Sequence, residues 1–304
     1  MGDLMERAAR FPYLVAERVV VELDRAGLLP SRYAVNFGAA DGTPTGDDPV
    51  VPLFVRHGFE GLAVEPDQAK AASLRANMPP RVHTRAVGVT PENLGGLLAG
   101  AYAPPEPAFL KIDIDSFDCA ILLASLRIMR PAAVQIEVNS EVPYPLMFGV
   151  HYSPEFRHST AAGREHGWFS RGFFGCSLAL AAELALPFGY KVLGQAGAHD
   201  LLLLRSDMHT ALRERIPWAP MMAYTPGGAA RAVGVRSMKD YFGRGVGASW
   251  LFVAETEPRR ERVLELVRAG VEDSCLASQG RAHDGRCARS YSLGLDAEDF
   301  RRLY

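Results

Sequence analysis

The sequence predicts an α/β protein: a doubly wound, open and mostly parallel sheet of seven strands. Three observations carry this. From Tyr33 onward, short apolar runs alternate with helical patterns at the spacing of βαβ units. The first run ends in a turn of small residues, Gly38-Ala39-Ala40-Asp41-Gly42, where such sheets place a ligand loop. The last two runs lie close together, which fits a final antiparallel hairpin.

Residues 1–30 form an N-terminal helical segment. Asp3, Glu6, Arg7 and Arg10 interrupt its opening, so it reads as an amphipathic helix rather than a signal peptide. Strands follow at 33–37, 61–65, 82–87, 109–114, 132–138, 190–193 and 200–204. Helices fall at 49–57, 67–77, 118–129 and 175–186. Composition shifts after Met208. Residues 216–250 are rich in Gly, Pro and Met with weak periodicity, and helices are expected at 261–269 and at 296–304, the latter capped by Asp296. Residues 31–208 thus form the main domain. Residues 209–304 form an appendage serving as a lid, a homodimer contact or part of a substrate pocket.

The chain has 304 residues, with 33 Lys+Arg against 35 Asp+Glu and a net charge of -2. This balance argues against wholesale capture of nucleic acid. No stretch approaches the apolar length of a membrane span. Cys119, Cys176, Cys275 and Cys287 are too few and too scattered for a disulfide framework. A cytoplasmic location is expected. Cys275, His283 and Cys287 share one polar segment without a CxxC, a poor zinc signature.

Four groups of residues could carry chemistry. The turn from Asn36 to Gly42 allows close backbone approach to a ligand, or is an ordinary tight turn; it lacks the third glycine of a dinucleotide fingerprint. Glu65 ends the second strand about two dozen residues later, where an acid can hold a ribose diol or simply precede a helix. The run Lys111-Ile112-Asp113-Ile114-Asp115 places Asp113 and Asp115 on one side if the strand continues. Glu137 and Asn139 end the next strand. Together these four oxygen donors suit a hard cation such as Mg2+ or Ca2+, or else cap a helix and bind a cofactor amine. His151 and His158 flank a loop after the fifth strand and are candidate bases, with His166 and His199 as further ones.

Asn36 to Gly42, Glu65-Pro66, Lys111 to Asp118 and Glu137-Val138-Asn139-Ser140 together resemble the class I S-adenosylmethionine-dependent methyltransferases, nearest to the FkbM-like group. Phe173-Phe174-Gly175-Cys176-Ser177-Leu178 is similar to a segment of the same relatives. The resemblance spans about residues 31–208 and implies a Rossmann-like sheet. It places Asn36, Gly38, Ala39, Asp41 and Glu65 against the cofactor. Asp113 faces the cofactor's methionyl end or the reacting centre, and Asp113, Asp115, Glu137 and Asn139 are analogues of a metal set. Asn36 stands where many members have an acid, and Ala40 where many have glycine. The implied activity is methylation of a small-molecule hydroxyl, with Mg2+ assisting. The alternative is a non-catalytic nucleoside-binding or interaction protein on the same fold. A nicotinamide-dependent oxidoreductase fits less well because the third glycine is missing.

Overall fold

The computed structural model describes residues 14–44, 48–139, 142, 146–153, 165–166, 169–170, 175–196, 199–215, 264–265, 268, 291–294 and 298–302. The chain divides into two compact units. The first is Met1–Ile114, Ile121–Ile136 and Ala185–Ala223; the second is Asp115–Ala120, Glu137–Leu184 and Tyr224–Tyr304.

The first unit is organised by one seven-stranded sheet. Its strands are β1 (Tyr33–Phe37), β2 (Glu60–Val64), β3 (Val82–Arg85), β4 (Phe109–Ile112), β5 (Ala133–Glu137), β9 (Tyr190–Ala196) and β10 (Asp200–Arg205), in the order β3-β2-β1-β4-β5-β10-β9. The β3–β2, β2–β1, β1–β4 and β4–β5 pairs are parallel, and β10 runs antiparallel to β9. The doubly wound, mostly parallel sheet and its antiparallel final hairpin are therefore as expected. The order reverses between β1 and β4, which makes their carboxyl ends the switch point.

Helix α1 (Leu14–Arg25) packs on this sheet through Ala16, Val19, Val20 and Leu23, all fully buried at helical spacing. Those residues share a core with Ala34, Phe109, Ala133, Leu202 and Leu204, a layer drawn from β1, β4, β5 and β10. Helix α2 (Val51–Val55) adds Val51, Leu53 and Phe54 to the same core. Helix α3 (Gln68–Asn77) begins at Asp67, whose side chain accepts from the Ala69 and Lys70 amides. A further short helix, α4 (Leu94–Ala99), was not expected from the sequence. Helix α5 spans Asp118–Ile128, and α7 (Ser206–Arg215) follows β10.

The fourth strand is shorter than expected. It ends at Ile112, and Asp115 has φ +54, so no strand alternation places Asp113 and Asp115 on one side.

In the second unit, β6 (Met147–Val150) pairs antiparallel with β11 (Tyr291–Gly294), joining residues of the expected appendage to the segment after the fifth strand. β7 (Glu165–His166) and β8 (Phe169–Ser170) form a two-residue pair. Helix α6 (Leu178–Ala185) starts from Ser177, whose buried hydroxyl accepts from the Leu180 amide and donates to the Leu146 carbonyl. Helix α8 (Glu298–Arg302) seats Phe300 in this unit's core, where a side chain on Gly149 would meet it. Cys119 and Cys176 form a disulfide across a sequence separation of 57. Scattered spacing gave no sign of this pairing. Among the described residues no helix is long and apolar enough to cross a membrane.

Candidate functional site

The first unit gathers its unusual polar residues at the switch point. Gly38 follows β1 with φ +80, and a Cβ there would lie 1.7 Å from the Asp113 carbonyl oxygen. Only glycine lets the turn cross the end of β4 this closely. The Gly38 and Ala39 amides both donate to the Val64 carbonyl at 3.0 Å, binding the turn to the end of β2 as well. Ala40 has φ +48, a glycine-like conformation held by an alanine.

Glu65 is buried beside this turn. One of its oxygens accepts from the Ala40 amide and the other from the Asp67 amide, each at 3.0 Å. Each carboxylate oxygen has a second lone pair, so the acid can still accept two hydroxyl hydrogens. Asp41 sits differently. It is exposed, and its side chain accepts from the Thr43 amide and hydroxyl, which holds its carboxyl below the usual range.

Strand register explains the rest of the site. Asn36 pairs with Lys111 and Lys111 with Gln135, so the three side chains stand in a row on one face of β1, β4 and β5. This is the face of Ala34, Phe109 and Ala133, one layer nearer the carboxyl ends. All three polar side chains are buried, as is Asp200 at the start of β10.

The Lys111 ammonium donates to the Gly38 carbonyl at 3.0 Å and pairs with Asp113 at 2.8 Å and Asp48 at 3.3 Å. Burial alone would depress its pKa. The Asp113 and Asp48 carboxylates more than offset that and hold it above the ordinary lysine value. Asp48 also accepts from Asn36 Nδ2 and from the Val50 and Val51 amides. Burial, reinforced by Asp113, pushes the Asp200 carboxyl up to about 7, against Lys111 and a hydrogen bond with Gln135. The amide oxygens of Asn36 and Gln135 are buried and find no hydrogen-bond partner among the described residues, so both can accept from a donor on a ligand.

Asp113 thus stands in the first unit, ion-paired and half-buried, together with Asn36, Gly38, Ala39 and Glu65. Lys111, Asp48, Gln135 and Asp200 are the functional candidates that sequence reasoning missed. Lysine in a strand ordinarily reads as a solvent-facing residue, and only the register with Asn36 and Gln135 places it on a buried face.

Asp115, Glu137 and Asn139 belong to the second unit. There the Asn139 amide donates to the Cys176 carbonyl, and the Gly175 amide to the Ser116 carbonyl, each at 2.7 Å. Asp118 is fully buried and accepts from the Ser116 amide, so it organises the 115–118 loop from within. His151 Nε2 lies 2.6 Å from Ser292 Oγ, and the Tyr152 ring meets Phe117 edge-on. His199 is exposed, and His166 stands on β7. His158, the 216–250 segment, Cys275, His283, Cys287 and Asp296 lie outside the described residues.

No model of a known family matches the chain, and no curated relative matches it. Among solved structures it is similar to the N-terminal domain of EvdMO1 in the presence of SAH and D-fucose, at 12% identity over 62% of this chain and 81% of that one, with a TM-score of 0.35. It is also similar to the sugar N-methyltransferase KedS8 from Streptoalloteichus sp, at 14% identity over 67% and 92% of the two chains, TM-score 0.37. A putative O-methyltransferase from Klebsiella pneumoniae matches at 15% identity over 62% and 79%, TM-score 0.35. At these identities none of the three fixes a residue's role.

Proposed function

We propose that the chain is an S-adenosylmethionine-dependent methyltransferase acting on a small-molecule hydroxyl. The observation that carries this is the grouping of the Gly38 turn, Glu65 and Asp113 at the carboxyl ends of β1, β2 and β4, around the switch point of the sheet. Residues and cofactor match in kind. Glu65 is poised for a ribose diol, and the bare Gly38 backbone accommodates close approach. Asp113 and the amide oxygens of Asn36 and Gln135, which have no partner among the described residues, suit the ammonium of a methionyl group.

Bound there, S-adenosylmethionine supplies an electrophilic methyl group on sulfur. The chain's task is alignment, because an in-line displacement is governed by the position of the two reacting atoms. Asp113, held by Lys111, is the residue proposed to orient the reacting end. His151 and His158 are the residues proposed to take the hydroxyl proton. Assistance by a divalent cation is a separable part of the proposal, read from the Mg2+ arm of the titration below. Asp113 itself already pairs with the Lys111 ammonium.

Calorimetric titration with S-adenosylmethionine, with and without Mg2+ and against NAD, is the first test. Micromolar binding of S-adenosylmethionine alone is expected, and Asp113→Ala should abolish transfer of a labelled methyl group. Binding without transfer to any acceptor would favour the non-catalytic alternative. No binding under any condition would overturn the methyltransferase reading.

A further inference from the structure

We propose that Lys111 is a positioning residue for cofactor binding: its buried ammonium fixes the Gly38 turn against the carboxyl end of β4. The inference rests on the reading of the site given above and adds a residue to it.

The Lys111 ammonium has three N–H donors and meets three acceptors from three separate segments. These are the Gly38 carbonyl in the turn after β1, Asp113 after β4 and Asp48 before α2. Only 4% of the residue is exposed, so the charge does not reach solvent as a lysine on a strand usually does. Packing alone does not ask for it. One layer lower, Phe109 occupies the same face of the same strand.

The consequence reaches the ribose acid through the turn. With the Gly38 carbonyl held by Lys111, the Gly38 and Ala39 amides face the Val64 carbonyl, and the Ala40 amide faces Glu65. Lys111 therefore sets the position of the Glu65 carboxylate from the far side of the turn, as well as that of Asp113.

Lys111→Met keeps the side-chain stem and removes the ammonium. Two readouts are taken where the variant is folded: affinity for S-adenosylmethionine by calorimetry, and hydrogen exchange of the Gly38, Ala39 and Ala40 amides. Affinity should fall at least about tenfold and exchange should accelerate by a similar factor, the scale of one lost charged hydrogen bond. Lys111→Gln keeps a donor without charge and should fall between wild type and Lys111→Met on both readouts. It also stands in if Lys111→Met does not fold.

Arg205→Met is the reference, because it removes another buried cation of the same unit, one paired with Glu106 and Asp207. It should leave both readouts unchanged. Unchanged affinity and exchange in the Lys111 variants would overturn the inference, as would Arg205→Met reproducing their effect. If wild type binds no S-adenosylmethionine, the proposed function falls while exchange at the three amides still decides the role of Lys111.

Discussion

Gly38→Ala tests the most crowded of the described glycines. Two costs add. At φ +80 an alanine is strained by about 1–2 kcal/mol. Its Cβ would also stand 1.7 Å from the Asp113 carbonyl oxygen, against an ordinary separation of about 3.5 Å, so the two backbones must part by roughly 1.8 Å. That movement acts on the Asp113 amide's bond to the Phe37 carbonyl and on both turn amides bonded to Val64. Forced shifts of this sort cost about 1–3 kcal/mol. The sum, about 2–5 kcal/mol, is a large share of the stability of an ordinary domain.

Gly58→Ala separates the two costs. Gly58 has φ +74, and a Cβ there meets nothing within 4 Å. It should lose only about 1 kcal/mol, the conformational cost less the entropy removed from the unfolded chain. Urea denaturation of wild type and both variants gives the comparison. If Gly38→Ala falls within about 0.5 kcal/mol of Gly58→Ala, the crowding argument is wrong. Gly38→Ala should also lose binding of S-adenosylmethionine at temperatures where it remains folded, while Gly58→Ala keeps it.

Three further outcomes are expected. Ala40→Gly should stabilise the chain by about 0.5–1 kcal/mol, since Ala40 holds φ +48 while exposed; a lower denaturation midpoint would contradict this. The folded chain keeps a proton on Asp200 up to about pH 7, whereas the unfolded chain releases it near 3.8, so this group's contribution is full below pH 3.8 and is lost as pH rises through about 7. The whole swing is on the order of 4 kcal/mol. Asp200→Asn should therefore flatten the pH dependence of stability between pH 5 and 8 and exceed wild type at pH 8, which denaturation midpoints across that range would check. Reducing the Cys119–Cys176 bridge releases a 57-residue separation and should lower stability by up to about 4 kcal/mol, read from midpoints with and without reductant; equal midpoints would count against the bridge.

Much of the first unit was legible because β1, β4, β5 and β10 are buried almost throughout and read as largely apolar runs. β1, β2, β4, β5 and β10 all fall within a residue or two of where those runs lie. Helix α4 was not legible, because Leu94–Ala99 carries two glycines that oppose helix formation in isolation, and tertiary packing of Leu94 and Leu98 overrides them. The pairing of β6 with β11 joins residues more than a hundred positions apart, and neither strand has a local pattern that names its partner. The alternation of Lys111 to Asp115 suggested a longer strand, but the chain turns at Asp115. Glu65 and Gly38 were visible because their chemistry depends on position along a βαβ unit. Asp48 and Asp200 were not, because their meaning comes from neighbours on other strands.

The buried polar group of Asn36, Lys111, Gln135 and Asp200 is hard to explain as a stabilising device. Buried ions lose hydration, and well-packed apolar side chains of similar size are often at least as stable. Three carboxylates, those of Asp48, Asp113 and Asp200, surround a single ammonium, so the group does not neutralise itself, and the most buried acid answers by holding its proton to about pH 7. The same strands solve the packing problem one layer lower with Ala34, Phe109, Ala133 and Leu202. What distinguishes the upper layer is its place at the carboxyl edge of the sheet, where the order reverses and the Gly38 turn must be held. Local rules of burial are commonly broken at functional sites. Under the proposed function, the polar group is the foundation of the cofactor site, and the apolar layer beneath it carries the stability.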